Sequence, residues 1–191
     1  MSTLTPMRAD ARRNRERVLV AAKEAFAEHG IDAQMDDIAR RAGVGVGTLY
    51  RHFPTKHALV GELISEKLAG IAERSRARFE DDERPWDSFA DLLREQAEMM
   101  SEDAASQRMV FALSEEGFKL AQPAVEEVNA ATNALLDRAK AAGEMRDDIT
   151  VEDVRTLMCG LGSIIAADAM GVIPYDWRRH LELALGGMRR S

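Results

Sequence analysis

Three observations predict an all-α fold. Apolar residues recur at three- and four-residue spacing along nearly the whole chain, and no convincing run alternates with period two. Alanine and leucine dominate the apolar set while only 5% of residues are aromatic, a mix that favours helices over sheets. Glycines and prolines fall where the periodic segments break, as helix stops and starts do. The 191 residues, 46% apolar and 31% charged, suffice for one or two domains with a buried core.

About nine helices are expected in order. Val18, Ala22, Ala25, Phe26 and His29 share one face of a first helix that stops at Gly30. Ile38, Ala39 and Ala42 make a short second helix ending at Gly43. A brief third runs through Gly47, Thr48, Leu49, Tyr50 and Phe53, and Pro54 forces a boundary because it bars Phe53 from helical geometry. Thr55 can cap a long fourth helix carrying Leu59, Leu63, Ile64, Leu68, Ile71 and Phe79. Pro85 suits the first position of a fifth with Trp86, Phe89, Leu93, Ala97 and Met100. A sixth carries Met109, Val110 and Leu113 to Gly117, and a seventh begins at Pro123 and stops at Gly143. Thr150 caps an eighth, Val151 to Met170, and Asp176 a ninth with Trp177, Leu181, Leu185 and Met188.

The charge is unevenly divided. Taken whole the chain carries −7, which argues against nucleic acid as a partner; residues 1–57 carry +3 and the remainder −10. The single cysteine, Cys159, allows no intramolecular disulfide, and no Cys/His cluster has zinc spacing. The basic residues up to Arg17 precede no apolar core of a signal peptide, and no apolar stretch is long enough to span a bilayer. A cytoplasmic protein with no membrane partner, cofactor or metal is expected.

Residues 35–53, MDDIARRAGVGVGTLYRHF, have the plan of a helix-turn-helix. One helix lies across the DNA backbone, a glycine turn follows, and a second helix enters the major groove. Ile38 and Ala39 face inward, Gly43 takes the turn's positive φ, Val44 is its buried pin and Leu49 anchors the second helix. Val46, Gly47, Thr48, Tyr50 and Arg51 then point away from the core. Gly45 and Gly47 keep the leading end slim enough for backbone amides to approach phosphate. GTLYRHFPTKHAL, preceded by DIARRAGVG and FAEHG, closely resembles the DNA-binding domain of the TetR family of transcriptional regulators over residues 14–62.

The resemblance implies roles. Thr48 and Tyr50 would contact phosphates, His52 would meet one from the end of the recognition helix, and Lys56 would clamp one from the start of the fourth helix. Val46, Gly47 and Arg51 occupy base-facing positions; Val46 offers only an apolar contact, Gly47 none, and Arg51 suits bidentate reading of guanine. Gln34 and its neighbours lack the capping Ser or Thr that often adds a phosphate contact before the second helix. Arg12, Arg13 and Arg15 read either as a basic arm along the DNA or as a solvated terminus.

Residues 1–57 are thus expected to form the arm and DNA-binding domain, and residues 58–191 an effector-binding and dimerisation domain. The resemblance also implies a homodimer whose two heads match a palindromic operator, with the long fourth helix linking effector occupancy to the separation of the heads. The eighth helix, apolar on more than one side and rich in small residues, has two faces to bury. Leu157, Leu161, Ile164 and Ile165, with Leu181 and Leu185 of the ninth, are expected at the dimer interface. Trp86, Phe89, Met99, Met100, Met109, Phe111, Phe118 and Met158 are candidates to line a pocket for a small apolar effector; the same stripe also reads as plain core. The function expected is a repressor released from its operator by such an effector. The alternatives are a helical protein-interaction module, which would not need the ordered GTLYRHF element, and a small helical enzyme. An enzyme would have to draw on His180 with Asp176 and Glu182, or on the doublets Asp36-Asp37 and Asp147-Asp148, which are also ordinary helix-terminal and surface pairs. No nucleophile has an evident base, and Gly160-Leu161-Gly162 follows no strand, so it is no nucleotide loop.

Overall fold

Residues 4–80, 84–103, 115–171 and 174–190 are described by a computed structural model, and eight α-helices lie among them. They are α1 (Leu4–His29), α2 (Met35–Ala42), α3 (Val46–His52), α4 (Lys56–Glu80), α5 (Pro85–Glu102), α6 (Glu115–Ala141), α7 (Val151–Ala169) and α8 (Trp177–Met188), with a 3-10 turn over Gly30–Asp32. The chain divides into two compact units, the first running to Ile64 and including the start of α6 as far as Ala121.

In the first unit, α1 packs on α2 and α3, burying Val18, Ala22, Phe26, Ile38, Leu49 and Phe53. Gly30 and Gly43 end their helices at φ +58° and +61°. At Gly43 the turn is a full Schellman closure: the Gly43 and Val44 amides donate to Arg40 and Ala39 carbonyls at 3.1 and 3.0 Å. A Cβ on Gly43 would also collide with the Arg17 guanidinium, so glycine is needed there for space as well as for φ. Val44 is half-buried rather than buried, because the closure is held by its backbone and not by its side chain. The Thr55 hydroxyl accepts from the Ala58 amide at 3.0 Å and caps α4. The N-terminal residues from Leu4 belong to α1, so Arg12, Arg13 and Arg15 stand on a helix and not on an extended arm. Arg15 pairs with Glu62 and covers the Phe53 ring.

The second unit is built around one core in which α5 packs on α7 and α7 on α8. Phe89, Leu92, Leu135, Leu136, Met145, Leu161 and Leu181 are fully buried there. Thr150 and Asp153 form a reciprocal capping box on α7, and the Asp176 carboxylate accepts from the Arg179 amide to cap α8. The loop after α6 is stitched to the chain end: Arg146 N–H donates to the Met188 carbonyl and Arg190 N–H to that of Glu144.

Two sequence expectations are corrected. Gly117 does not end a helix and Pro123 does not begin one, since both lie inside α6. At Gly117 the backbone of α6 approaches α4 closely: a Cβ on Gly61 of α4 would stand 3.1 Å from the Gly117 carbonyl oxygen. Pro123 costs α6 one hydrogen bond on an exposed face. Phe79 does not continue the buried stripe of α4; it is 45% exposed, with the Arg138 guanidinium over its ring at 4.4 Å. The expected sixth helix falls outside the described residues.

Candidate nucleic-acid interface

The recognition helix α3 is fixed from beneath by Leu49, fully buried, and closed by the Phe53 amide donating to the Leu49 carbonyl at 2.8 Å. Its other face is open. Val46 is 41% and Tyr50 43% exposed, Gly47 and Arg51 are exposed, and Thr48 is half-buried. Val46 and Tyr50 stand one turn apart, as do Gly47 and Arg51, so the four make one surface. The side chains of Thr48, Tyr50 and Arg51 have no hydrogen bond or ion pair to any described residue. Their donors are free for an external acceptor.

His52, at the end of α3, is half-buried. Its Nε2 is buried and finds no hydrogen-bond partner among the described residues, and the ring packs beside Phe53, so this nitrogen faces the head's interior. Lys56 is half-buried, and its ammonium donates to the Ile31 carbonyl at 2.8 Å, tying the 3-10 turn to α4. That acceptor is neutral, so the lysine keeps its full charge and two further donors.

The remaining cations around the head divide by partner. Arg41 is bonded to Glu28 through both terminal nitrogens, which holds the Glu28 carboxyl below its ordinary range and raises Arg41. Arg40 is held by Asp37, Arg12 by Glu16 and Arg13 by Asp10. Arg17 instead donates to the Gly43 carbonyl at 3.0 Å, exposed and beside the turn of the helix-turn-helix. Sequence reading missed Arg17 as a candidate contact because 26 residues separate it from Gly43 and no local pattern joins them. Gln34, the residue before α2, makes no side-chain cap and donates to the Asp32 carbonyl.

The sequence-named pocket residues do not all converge. Trp86, Phe89 and Met158 are buried in the core of the second unit, and Met100 packs against it. Met99 and Phe118 are 42% and 56% exposed and line no apolar interior, because each stands on the outer face of its helix. Met109 and Phe111 lie outside the described residues. Of the residues expected at a dimer interface, Leu161, Ile165, Leu181 and Leu185 are at most 2% exposed within one chain. They are spent on their own core and have no surface left to offer a partner. Leu157 and Ile164 are half-buried against the same core. The open surface of these helices is Thr156, Cys159, Gly160 and Ser163 on α7 and Leu183, 60% exposed, with Gly186 and Gly187 on α8.

Of the groups named for an enzyme, Asp176 caps α8, Asp147 and Asp148 pair with Arg190 and Arg146, Glu182 with Arg94 and Asp37 with Arg40. Among the described residues no helix is long and apolar enough to cross a membrane.

Residues 18–63 match the family described as bacterial regulatory proteins, tetR family, and residues 84–190 match the C-terminal domain described as transcriptional regulator SbtR-like. The HTH-type transcriptional regulator UidR of Escherichia coli K12 is 31% identical over 172 residues, covering 85% of this chain and 84% of that protein. The crystal structure of a TetR transcription regulatory protein from Mycobacterium vanbaalenii is 33% identical with a TM-score of 0.64, covering 97% of this chain and all of that one. Thermus thermophilus FadR, a TetR-family transcriptional repressor solved in complex with lauroyl-CoA, is 26% identical with a TM-score of 0.66, covering 90% of this chain and 91% of its own.

Proposed function

We propose that this chain, which belongs to the TetR family of transcriptional regulators, is a homodimeric repressor released from a palindromic operator when a small apolar effector binds its helical body. The observation that carries the reading is α3, a helix anchored by Leu49 whose outward side chains have no hydrogen-bond or ion-pair partner among the described residues. The Tyr50 and Thr48 hydroxyls donate to backbone phosphates, with Lys56 and Arg17 adding charge at either side of the turn. Arg51 reads a guanine through its fork of donors, and Val46 contacts a thymine methyl.

Two such heads need a two-fold axis. The dimer forms on the open face of α7 and α8, where Gly160 and Ser163 allow close approach and Leu183 supplies an apolar contact. The effector binds the helical body, where half-buried Met100 at the edge of the core is a candidate contact; the lauroyl-CoA complex of Thermus thermophilus FadR supports a small-molecule ligand. It releases DNA by binding more tightly to a state whose heads no longer fit the half-sites, since a ligand of equal affinity for both states shifts nothing.

Binding measured against a salt series tests this reading. The logarithm of affinity should fall with log salt at about −0.9 per phosphate neutralised. Tyr50→Ala should weaken every sequence alike, whereas Arg51→Ala should relax preference at one base pair by about 1–3 kcal/mol. A salt-insensitive complex, or equal losses for Arg51→Ala on all operator variants, would contradict it.

A further inference from the structure

Two cations of the effector body lack an acceptor. The Lys67 ammonium nitrogen and Arg74 Nε are both shielded from solvent, and neither has a hydrogen-bond partner among the described residues. Both lie on α4 seven residues apart, which places them on one helix face with an axial rise of about 10 Å between their Cα atoms. Gly70 sits between them on that face. A Cβ there would stand 3.4 Å from Arg74 Nη1, so the guanidinium folds back along the helix toward Lys67 over the space the glycine leaves.

The neighbouring charges do not supply the missing partner. Arg74 also lines an open groove of about 620 Å³ with Arg78, Arg84, Asp87, Asp91 and Glu95. There Arg78 is bonded to Glu95, Arg84 stands 3.1 Å from Asp87, and Asp91 is taken by Arg94 at 2.9 Å. Arg74 is left as the groove cation without an ion pair among the described residues. At Lys67 burial pushes the ammonium pKa down, and the Asp103 carboxylate, not hydrogen-bonded to it, offsets this in part. A shielded, unpaired cation is strongly destabilising unless an anion reaches it. Lys67, shielded, and Arg74, whose side chain lines the open groove, stand on one helix face and together form a receptor for negative charge.

We propose that the effector is an organic acid whose carboxylate or phosphate is held by Lys67 and Arg74 across Gly70, with its apolar part in the helical body. This rests on the reading of the chain as an effector-responsive regulator and names the ligand's chemical class: a purely apolar molecule would leave both cations unpaired.

The test is calorimetry on the full-length protein with three series of equal chain length: straight-chain carboxylates from butyrate to palmitate, monoalkyl phosphates and primary alcohols. At least one acid series should bind, with the matching alcohols at least about tenfold weaker; the series that binds tells carboxylate from phosphate. Lys67→Met and Arg74→Met should each weaken the acid by about tenfold or more and leave alcohol binding unchanged. Lys67→Met should also raise the melting temperature of the ligand-free protein, which shows that the variant folds. The proposal is overturned if neither acid series binds, if alcohols bind as tightly as acids, or if both variants bind acid like the unsubstituted protein. Retention of genomic DNA is followed in the same samples. DNA retained without acid binding removes this inference alone, whereas no DNA retained by the unsubstituted protein removes the regulator reading.

Discussion

Both units close many of their arginines into ion pairs with carboxylates, and they differ in where the remaining cations stand. In the second unit Arg94 pairs with Glu182 and Asp91, Arg178 with Glu98, Arg146 with Asp148 and Arg190 with Asp147, while exposed Arg155 and Arg179 have no ion pair among the described residues. Around the head, among the described residues, Arg51 has no partner, while Arg17 and Lys56 bond to neutral carbonyls. A cation already neutralised by a carboxylate gains little by meeting phosphate, while one held by a carbonyl keeps its charge for the DNA. The split of +3 and −10 along the sequence already counts these pairs: Arg12, Arg13, Arg40 and Arg41 are neutralised within the head as well, so its positive charge stands on few residues. On the proposed reading, the acidic remainder is repelled by the duplex and a few cations of the head meet its phosphates.

Substitutions that empty the body's core should have the largest effect. Phe89→Ala, at a fully buried site, should cost about 3–5 kcal/mol in thermal or denaturant unfolding. Two neighbours on α8 sharpen the contrast between core and interface. Leu181→Ala should cost about 2–5 kcal/mol in stability. Leu183→Arg should leave the fold within about 0.5 kcal/mol and convert a dimer to a monomer by sedimentation, with loss of operator affinity; a stable dimer of that variant would move the interface elsewhere. In the head, Gly43→Ala should cost about 1–2 kcal/mol from its left-handed backbone and also break the Arg17 contact. The smallest effect is in the body's surface pairs. Arg94 holds the Glu182 carboxyl below its ordinary value, so the contribution is present above that value and lost as pH falls through the lowered one. With solvent screening it should stay below about 1 kcal/mol, read as the pH-dependent stability difference between the protein and Glu182→Gln.

Punctuation by capping residues was legible in the sequence: Gly30, Gly43, Pro54, Thr55, Pro85, Thr150 and Asp176 each sit at the helix end their chemistry implies. These signals are local, so local reading suffices. Gly117 and Pro123 misled because their roles are set by tertiary contacts: Gly117 answers Gly61 across a tight crossing, and an exposed proline can remain inside a long helix. The faces of α7 and α8 could not be assigned for a related reason. Periodicity identifies Leu161, Ile165, Leu181 and Leu185 as apolar and inward, but it carries no mark of whose interior they fill. At the interface, the outward set of α3 was legible from its spacing, whereas the Lys56 bond to Ile31, the buried Nε2 of His52 and the approach of Arg17 to Gly43 all depend on contacts distant in sequence or on side-chain rotation.

The most direct test of the central claim is selection of genomic fragments by the full-length protein, followed by footprinting of the bound site. A dimeric reader with α3 in the major groove should protect a palindrome whose half-sites lie about one helical turn, or a multiple of it, apart, and Arg51→Ala should lose discrimination at the same position of each half. Protection of a single asymmetric site, or no specific fragment at all, would contradict the account.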